Sequence, residues 1–271
     1  MTARLLQVSD LHVGANDDRR GEQEEALREL VAELRPELVI ASGDLSHRNR
    51  HDQHERAGAF LRAVAAPLLV VPGNHDIPAL PPARLMKPFA AFLRVWPETE
   101  PVYRSDGLVV CGLNSVRPWK YQRGALDASQ LGRVARELAA APPEALRVVV
   151  LHHHLTGAPW RTGKRSIPAR TRVLAALADA GAELVVSGHI HQSVVVERRE
   201  LLVPSGTPRG LVLAVAPGLG RPRPGRHAEA NGLHVYDAEP EILSVRTYAW
   251  GDGRFTQVAE RRFPRSTNSM P

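Results

Sequence analysis

The chain has 271 residues, enough for one large domain with an extensive apolar core. A single cysteine excludes a disulfide framework within the chain, and we find no apolar run of membrane-spanning length and no export signal at the start. The net charge of +6 favours anionic substrates, whereas an aromatic content of 5% is low for a protein that stacks single-stranded nucleic acid. We therefore expect a soluble cytoplasmic protein that acts on a small anion, with nucleic acid a less favoured partner.

Short apolar runs alternate with stretches of helical periodicity through the first two thirds of the chain. Strands are predicted at residues 5–8, 38–41, 68–71, 148–151 and 184–186, and helices at residues 27–34, 57–64, 131–138 and 173–177. This alternation predicts βαβ units and a largely parallel sheet covered by helices. In such sheets functional side chains gather at the carboxyl ends of the strands.

The last third of the chain has a different pattern. Strands are predicted at residues 194–203, 233–236 and 244–248 with no helix between them, which favours antiparallel pairing. Residues 217–226 are rich in Gly, Pro and Arg and are expected to form a loop. We expect one catalytic domain over residues 1–263, followed by a disordered C-terminal tail at residues 264–271.

Residue types that bind metals follow each of the first five predicted strands. In chain order these groups are Asp10-Leu11-His12, Gly43-Asp44, Gly73-Asn74-His75-Asp76, His152, and Gly188-His189-Ile190-His191. Because side chains alternate along a strand, the two ends of an Asp-x-His or His-x-His pair lie on one face. Carboxylate, imidazole and amide ligands suit Mn, Fe or Zn better than Ca. The pattern predicts a two-metal site in which Asp44, with two carboxylate oxygens, is the natural bridge.

The ordered blocks Asp-x-His, Gly-Asp, Gly-Asn-His-Asp, His and Gly-His-x-His resemble those of the calcineurin-like metallophosphoesterases, over residues 4–192. The resemblance implies an α/β fold, a β-sandwich of two mixed sheets flanked by helices, with an antiparallel C-terminal part. It also implies two divalent metal ions, with Mn, Fe or Zn as candidates. The implied ligands are Asp10, His12, Asp44 and His191 for one ion, and Asp44, Asn74, His152 and His189 for the other.

Further site residues are implied less directly. By the same resemblance His75 faces the substrate, where it stabilises the phosphoryl oxygens or protonates the leaving group, and Asp76 orients its imidazole. His153 and His154 are expected to be solvated or to support the ligands. His47, Arg161 and Lys164 are candidates for substrate contact, with ordinary solvated charges as the alternative for the two basic residues.

The activity implied is phosphoester hydrolysis by a hydroxide that bridges the two metals. Pro72 before Gly73, the compact length and the lack of a capping domain look most like bacterial cyclic-nucleotide and glycerophosphodiester phosphodiesterases. We therefore expect a phosphodiesterase for cyclic nucleotides or other small phosphodiesters. The alternatives are a DNA repair nuclease, a phosphomonoesterase, and a non-catalytic protein-binding scaffold. The complete set of ligand positions favours an enzyme over the scaffold.

Overall fold

A computed structural model describes residues 3–15, 20–158, 163–201, 210–220 and 231–265, and within these ranges the chain forms twelve strands and six α-helices. The strands are β1 (Ala3–Val8), β2 (Leu38–Ala41), β3 (Leu68–Val70), β4 (Val102–Arg104), β5 (Leu108–Leu113), β6 (Leu146–Leu151), β7 (Leu184–Ser187), β8 (Val194–Glu197), β9 (Val212–Val215), β10 (Gly232–Ala238), β11 (Ile242–Gly251) and β12 (Arg254–Pro264). The helices are α1 (Arg20–Leu34), α2 (His51–Arg62), α3 (Ala83–Met86), α4 (Ala128–Ala139), α5 (Arg170–Asp179) and α6 (Arg198–Leu201), and a 3₁₀ turn covers Phe92–Arg94.

The strands form two six-stranded sheets, both of mixed direction. The first has the order β12-β11-β10-β1-β2-β3, with β1, β2 and β3 parallel and the remaining pairs antiparallel. The second has the order β4-β5-β6-β7-β9-β8, in which β5, β6, β7 and β9 are parallel and each edge strand is antiparallel. This confirms the expected sandwich of two mixed sheets.

Three apolar layers hold the sandwich together. The layer between the sheets includes Leu5 and Ile40 of the first sheet and Val148 and Leu184 of the second, all fully buried. Helices α1 and α2 bury their apolar stripes on the outer face of the first sheet, and α4 and α5 do the same on the second. Burial of this extent is the dominant stabilising contribution to folding, so we expect the chain to fold without a bound metal.

The last third of the chain is mainly antiparallel, with two departures from expectation. The strand predicted at residues 194–203 ends at Glu197, and helix α6 begins at Arg198, where the charged run Glu197–Glu200 interrupts the apolar pattern. In addition, β9 enters the second sheet parallel to β7 and separates it from β8. Neither departure alters the strands that carry the predicted ligands.

The first two residues of the predicted tail are part of the folded domain. Pro264 is the last residue of β12, and the guanidinium of Arg265 contacts the Glu183 carboxylate at 2.9 Å. Residues 266–271 lie outside the described residues, and disorder there stays a prediction. In the loop expected at residues 217–226, Leu219 and Gly220 donate backbone hydrogen bonds to Ser9 and Asp10 (2.8 and 2.9 Å), and residues 221–226 lie outside the described part. Among the described helices none is long and apolar enough to span a membrane.

Candidate metal centre

The loops after β1, β2, β3, β6 and β7 meet at one edge of the sandwich. Within the first sheet, backbone hydrogen bonds join Asp10 N to Gly43 O (2.9 Å) and His12 N to Asp44 O (3.0 Å). Across the two sheets, His189 N donates to Asp10 Oδ2 at 3.0 Å. The parallel strands therefore bring together residues that are up to 179 positions apart in the chain.

Five of the predicted ligands have left-handed backbone conformations. The φ angles are 53° at Asp10, 46° at His12, 53° at Asp44, 77° at His189 and 56° at His191. A residue other than glycine in this region carries strain on the order of 1–3 kcal/mol, which persists only where the surrounding structure enforces it. Such strain is concentrated at functional sites, and all five residues lie just beyond strand ends at the same edge of the sandwich.

One group of ligand atoms comes from Asp10, His12 and His191, whose candidate atoms all lie within 4.8 Å of one another. His191 Nε2 is 3.0 Å from Asp10 Oδ1 and 3.1 Å from His12 Nε2. The second oxygen of Asp10 accepts from Ser9 Oγ at 2.6 Å, in addition to the bond from His189 N. The carboxylate is thereby fixed with Oδ1 directed at the two imidazoles.

A second group contains Asp44, His152 and His189, again within 4.8 Å. Asp44 Oδ2 lies 3.3 Å from His152 Nε2. His152 Nδ1 donates to the carbonyl of Ser42 at 2.8 Å. Because a carbonyl only accepts, this bond places a proton on Nδ1 and leaves Nε2, once deprotonated, as the nitrogen for a metal.

The two groups are joined through Asp44. Its Oδ2 is also 3.7 Å from His12 Nε2 in the first group, while its Oδ1 accepts from the backbone N–H of His75 at 2.8 Å. Six of the seven residues that the resemblance assigned to two metals are thus gathered in one place, with the assigned bridge between them.

Several of these atoms are buried polar groups with no hydrogen-bond partner in the described part of the chain. They are Asp10 Oδ1, Asp44 Oδ2, Asn74 Oδ1, His152 Nε2 and both ring nitrogens of His189. Leaving such atoms unpaired is costly, since each loses its hydration on burial. A divalent cation would satisfy them, and the donor set of carboxylate, imidazole and amide oxygen suits Mn, Fe or Zn. The residues present therefore fit the metals that the sequence implied.

Electrostatics hold most of these groups in the protonation states that metal binding needs. Burial alone would raise the pKa of Asp10, but the neighbouring His191 outweighs it and keeps that pKa below its ordinary value. Burial and the Lys164 ammonium hold the pKa of His189 well below its ordinary value, so this imidazole is neutral. At His152 burial lowers the pKa, but Asp44 outweighs it and raises that pKa to about 9. A cation bound there must displace this proton.

The His75 ring lies 4.7 Å from the His12 ring of the first group, and one expectation about His75 and Asp76 was wrong. His75 Nδ1 donates to the carbonyl of His47 at 2.9 Å, which sets its tautomer. Asp76 was expected to orient the His75 imidazole, but its buried carboxylate instead accepts from Ser46 N (2.8 Å) and Gly73 N (2.9 Å). Asp76 therefore joins the loops after β2 and β3, and it supports the backbone that carries Asp44 and Asn74.

The remaining predicted residues fall into three situations. The His47 ring stacks on the His75 ring, with centroids 5.9 Å apart. Lys164 donates to the backbone carbonyl of His189, so its charge is held beside a ligand loop. Arg161 lies outside the described residues.

His153 and His154 are buried, which excludes a solvated role for either. His153 Nδ1 lies 2.8 Å from Ser115 Oγ, and its ring centroid is 4.7 Å from that of His189. The His154 ring stacks on the same imidazole at 5.9 Å. Both residues therefore support His189.

A buried polar chain between the sheets was missed by sequence reasoning. Gln7 Nε2 donates to Ser42 Oγ (2.8 Å) and to Ser187 O (2.9 Å), and Gln7 Oε1 accepts from the Tyr236 hydroxyl at 2.5 Å. Tyr236 in turn lies 3.3 Å from His234 Nδ1. The chain links the ends of β2 and β7 beneath the ligand loops. The available signal was a lone glutamine in the otherwise apolar run at residues 5–8.

A cavity of about 600 Å³ opens beside the second group of ligands. Its lining includes Asn74, His75 and His47 together with Arg48, Arg50 and Tyr121. Volumes of this size accommodate small-molecule ligands. The two arginines were not selected from the sequence, although they follow Asp44 in the same loop.

Comparison with known proteins gives consistent matches. The family model for calcineurin-like phosphoesterases matches residues 3–193. A cAMP/cGMP dual specificity phosphodiesterase of Mycobacterium tuberculosis is 30% identical over 95% of this chain and 84% of its own length. A 3',5'-cyclic adenosine monophosphate phosphodiesterase of Haemophilus influenzae is 25% identical over 70% of each chain.

Among solved structures, the purple acid phosphatase of yellow lupin seeds superposes with a TM-score of 0.69 at 12% identity. The match covers 98% of this chain and 54% of the lupin chain, and it shows a shared fold. Since the family model includes every ligand loop, and one 30% identical relative aligns with nearly the whole chain, this protein belongs to the calcineurin-like phosphoesterase family and is a metal-dependent phosphoester hydrolase.

Proposed function

We propose that this protein is a phosphodiesterase with a two-metal centre that hydrolyses cyclic nucleotides or related small phosphodiesters. The observation that carries the proposal is the pair of buried ligand groups that share Asp44 and adjoin a cavity lined by His75. A scaffold protein would have no use for strained, desolvated ligands next to an open cavity.

The assignment of ligands follows the two groups. Asp10, His12 and His191 would hold one cation, His152, His189 and Asn74 the other, and Asp44 both. When bound, the cations activate water and neutralise the charge of the phosphoryl oxygens. Mn, Fe and Zn are the candidates.

His75 is the proposed proton donor to the leaving group. Its Nδ1–H bond to the His47 carbonyl fixes the ring and leaves Nε2 as the nitrogen that would deliver a proton to the departing oxygen. The His12 ring packs edge-on against His75 at 4.7 Å and restricts its rotation. After hydrolysis His75 regains its proton from solvent through the cavity.

The substrate class rests on charge and on the named relatives. Two relatives are described as cyclic nucleotide phosphodiesterases, and the same activity is proposed for this chain. A monoanionic diester is well served by two cations and one proton donor, whereas a dianionic monoester needs further fixed positive groups. Arg48 and Arg50 line the cavity, but their side chains are exposed and are therefore less rigidly placed than a second phosphate charge requires. We therefore expect diesters to be preferred over monoesters. The cytoplasmic location expected from the sequence is part of the same proposal.

The test is a substrate comparison with the purified, manganese-supplied protein. We expect hydrolysis of 3',5'-cyclic AMP, and a kcat/KM for bis-p-nitrophenyl phosphate at least about tenfold above that for p-nitrophenyl phosphate. A preference for the monoester would identify a phosphatase in which Arg48 and Arg50 bind the second charge. Efficient cleavage of single-stranded DNA without cyclic AMP hydrolysis would identify a nuclease. Binding of metal with no turnover of any phosphoester would identify a scaffold.

A further inference from the structure

The cavity beside His75 extends well beyond what phosphate binding requires. Asn74 and His75 account for the part nearest the metal centre, but the same cavity reaches Tyr121, in the loop between β5 and α4. Its volume of about 600 Å³ leaves room for a group considerably larger than a phosphate. The part lined by Tyr121 has no role in the chemistry described above.

Tyr121 presents an aromatic ring to this cavity while remaining 64% exposed. Its position is set by Arg84, which is buried and donates to the carbonyls of Pro78 and Pro118, both at 2.7 Å. The Arg84 guanidinium also lies 5.1 Å from the centre of the Tyr121 ring, a cation–π distance. Because its donors are already engaged by the protein, Arg84 positions the loop.

The same loop has a second attachment, directly behind the metal centre. Ser115 Oγ lies 2.8 Å from Nδ1 of the buried His153 and 3.2 Å from its backbone N–H. Further along, a Cβ at Gly124 would lie only 2.5 Å from the His153 ring, so the loop packs closely on that imidazole. His153 in turn contacts His189, so the loop that carries Tyr121 packs on a residue beside the candidate ligands.

Arg48 and Arg50, in the loop after Asp44, line the same cavity. That loop is held by Asn49, whose backbone N–H donates to Ser46 Oγ (3.2 Å) and whose Oδ1 lies 3.0 Å from His54 Nε2. A guanidinium has only donors, and it matches the N7 acceptor common to both purines and the additional O6 acceptor of guanine. An aromatic ring with adjacent donors is a general arrangement for binding a base.

We propose that this cavity is the nucleoside-binding part of the active site, with Tyr121 stacked on the base of a purine cyclic nucleotide. The inference rests on the proposed phosphodiesterase function and adds the residue that distinguishes nucleoside substrates from simple diesters. Phosphate and metals then lie at the His75 end, and the base lies between Tyr121 and the arginines. Tyr121 touches the substrate but takes no part in bond cleavage.

The test compares Tyr121→Ala with Tyr121→Phe and with the control Trp119→Ala. Trp119 is a matched control because it is an aromatic residue of the same loop, similarly exposed at 70%, and it does not line this cavity. Stacking of one base is worth about 1–3 kcal/mol, so Tyr121→Ala should raise KM for 3',5'-cyclic AMP roughly 5- to 150-fold. kcat should change by less than about threefold, since the lost interaction binds substrate and transition state alike. Tyr121→Phe keeps the ring and should resemble the unaltered protein, as should Trp119→Ala.

Methyl p-nitrophenyl phosphate, a diester without a nucleoside, separates the possible failures. Its hydrolysis should be unaffected by Tyr121→Ala. An unchanged KM for cyclic AMP in Tyr121→Ala would overturn the nucleoside site while leaving the phosphodiesterase function intact. An equal loss on both substrates would instead show that Tyr121 supports the metal centre. If the unaltered protein cleaves the small diester but no cyclic nucleotide, the proposed substrate class and the nucleoside site both fail.

Discussion

Gly188 lies where β7 meets the loop after β1, and there is no room for a side chain. A Cβ built on Gly188 would lie 1.9 Å from Ser9 Oγ and 2.5 Å from Asp10 Oδ2, although its φ is not in the left-handed region. The second distance falls about 0.9 Å short of the 3.4 Å at which ordinary contact begins. Gly188→Ala must therefore displace the Asp10 carboxylate by nearly 1 Å, or displace the loop of His189.

A misplacement of about 1 Å at a reacting centre can reduce the rate by roughly 10²-fold, and we expect a loss of that size in kcat/KM on bis-p-nitrophenyl phosphate. Overpacking of this kind destabilises by about 1–3 kcal/mol, less than the typical total stability of about 5–15 kcal/mol, so the variant should fold. Metal content per chain should fall as well, because Asp10 is a proposed ligand.

The matched control is Gly251→Ala, at a strand end where an added Cβ meets nothing within 4 Å. This variant should keep its activity within about twofold, as surface substitutions do. The assays are steady-state kinetics with saturating Mn, metal analysis by mass spectrometry, and thermal melting. If Gly188→Ala matched Gly251→Ala in kcat/KM and in metal content, the proposed role of Asp10 at this edge would be refuted.

Three further outcomes are expected. Asp44→Ala should remove the bridge and lose both metals and nearly all turnover while the protein stays folded, and a metal content near two per chain in the variant would contradict the assignment. His75→Ala should keep both metals and lose roughly 10²–10⁴-fold in rate on esters with poor leaving groups. The loss should be smaller on nitrophenyl esters, because their leaving group needs no proton. Equal losses on both kinds of ester would indicate that His75 stabilises the phosphoryl oxygens instead. Burial lowers the pKa of His234 to about 3, so between pH 6.5 and pH 3 this imidazole is protonated in the unfolded chain but neutral in the folded one. Its contribution to the free energy of unfolding is therefore fully present above pH 6.5. That contribution falls by up to about 1.4 kcal/mol per pH unit as the pH falls towards 3. Urea unfolding at pH 7.5 and pH 5 should show a smaller pH dependence in His234→Gln than in the unaltered protein, and parallel curves would contradict a buried neutral imidazole.

The sequence by itself determined the strands that carry the site and the family to which the chain belongs. Each predicted ligand block follows an apolar run. A buried strand followed by polar residues can be recognised from local sequence alone, without knowing which strands pair with it. The fixed order of the blocks, from Asp10 to His191, then implied a common edge, because parallel strands place their carboxyl ends together. The mixed sandwich followed from the resemblance, and the structure confirmed it.

Only the tertiary structure decided what surrounds those blocks. Three features depend on segments that are distant in sequence. They are the hydrogen bond from His75 to the His47 carbonyl, the buried polar chain through Gln7, and the cavity that Tyr121 lines together with His75. The place of β9 beside β7 likewise depends on long-range pairing. Side-chain partners of this kind are set by how two sheets pack and by how loops turn at their edges, and neither leaves a periodic trace in the sequence. For that reason the amino-acid pattern predicted the metal ligands, while the cavity beside them was found only in the folded chain.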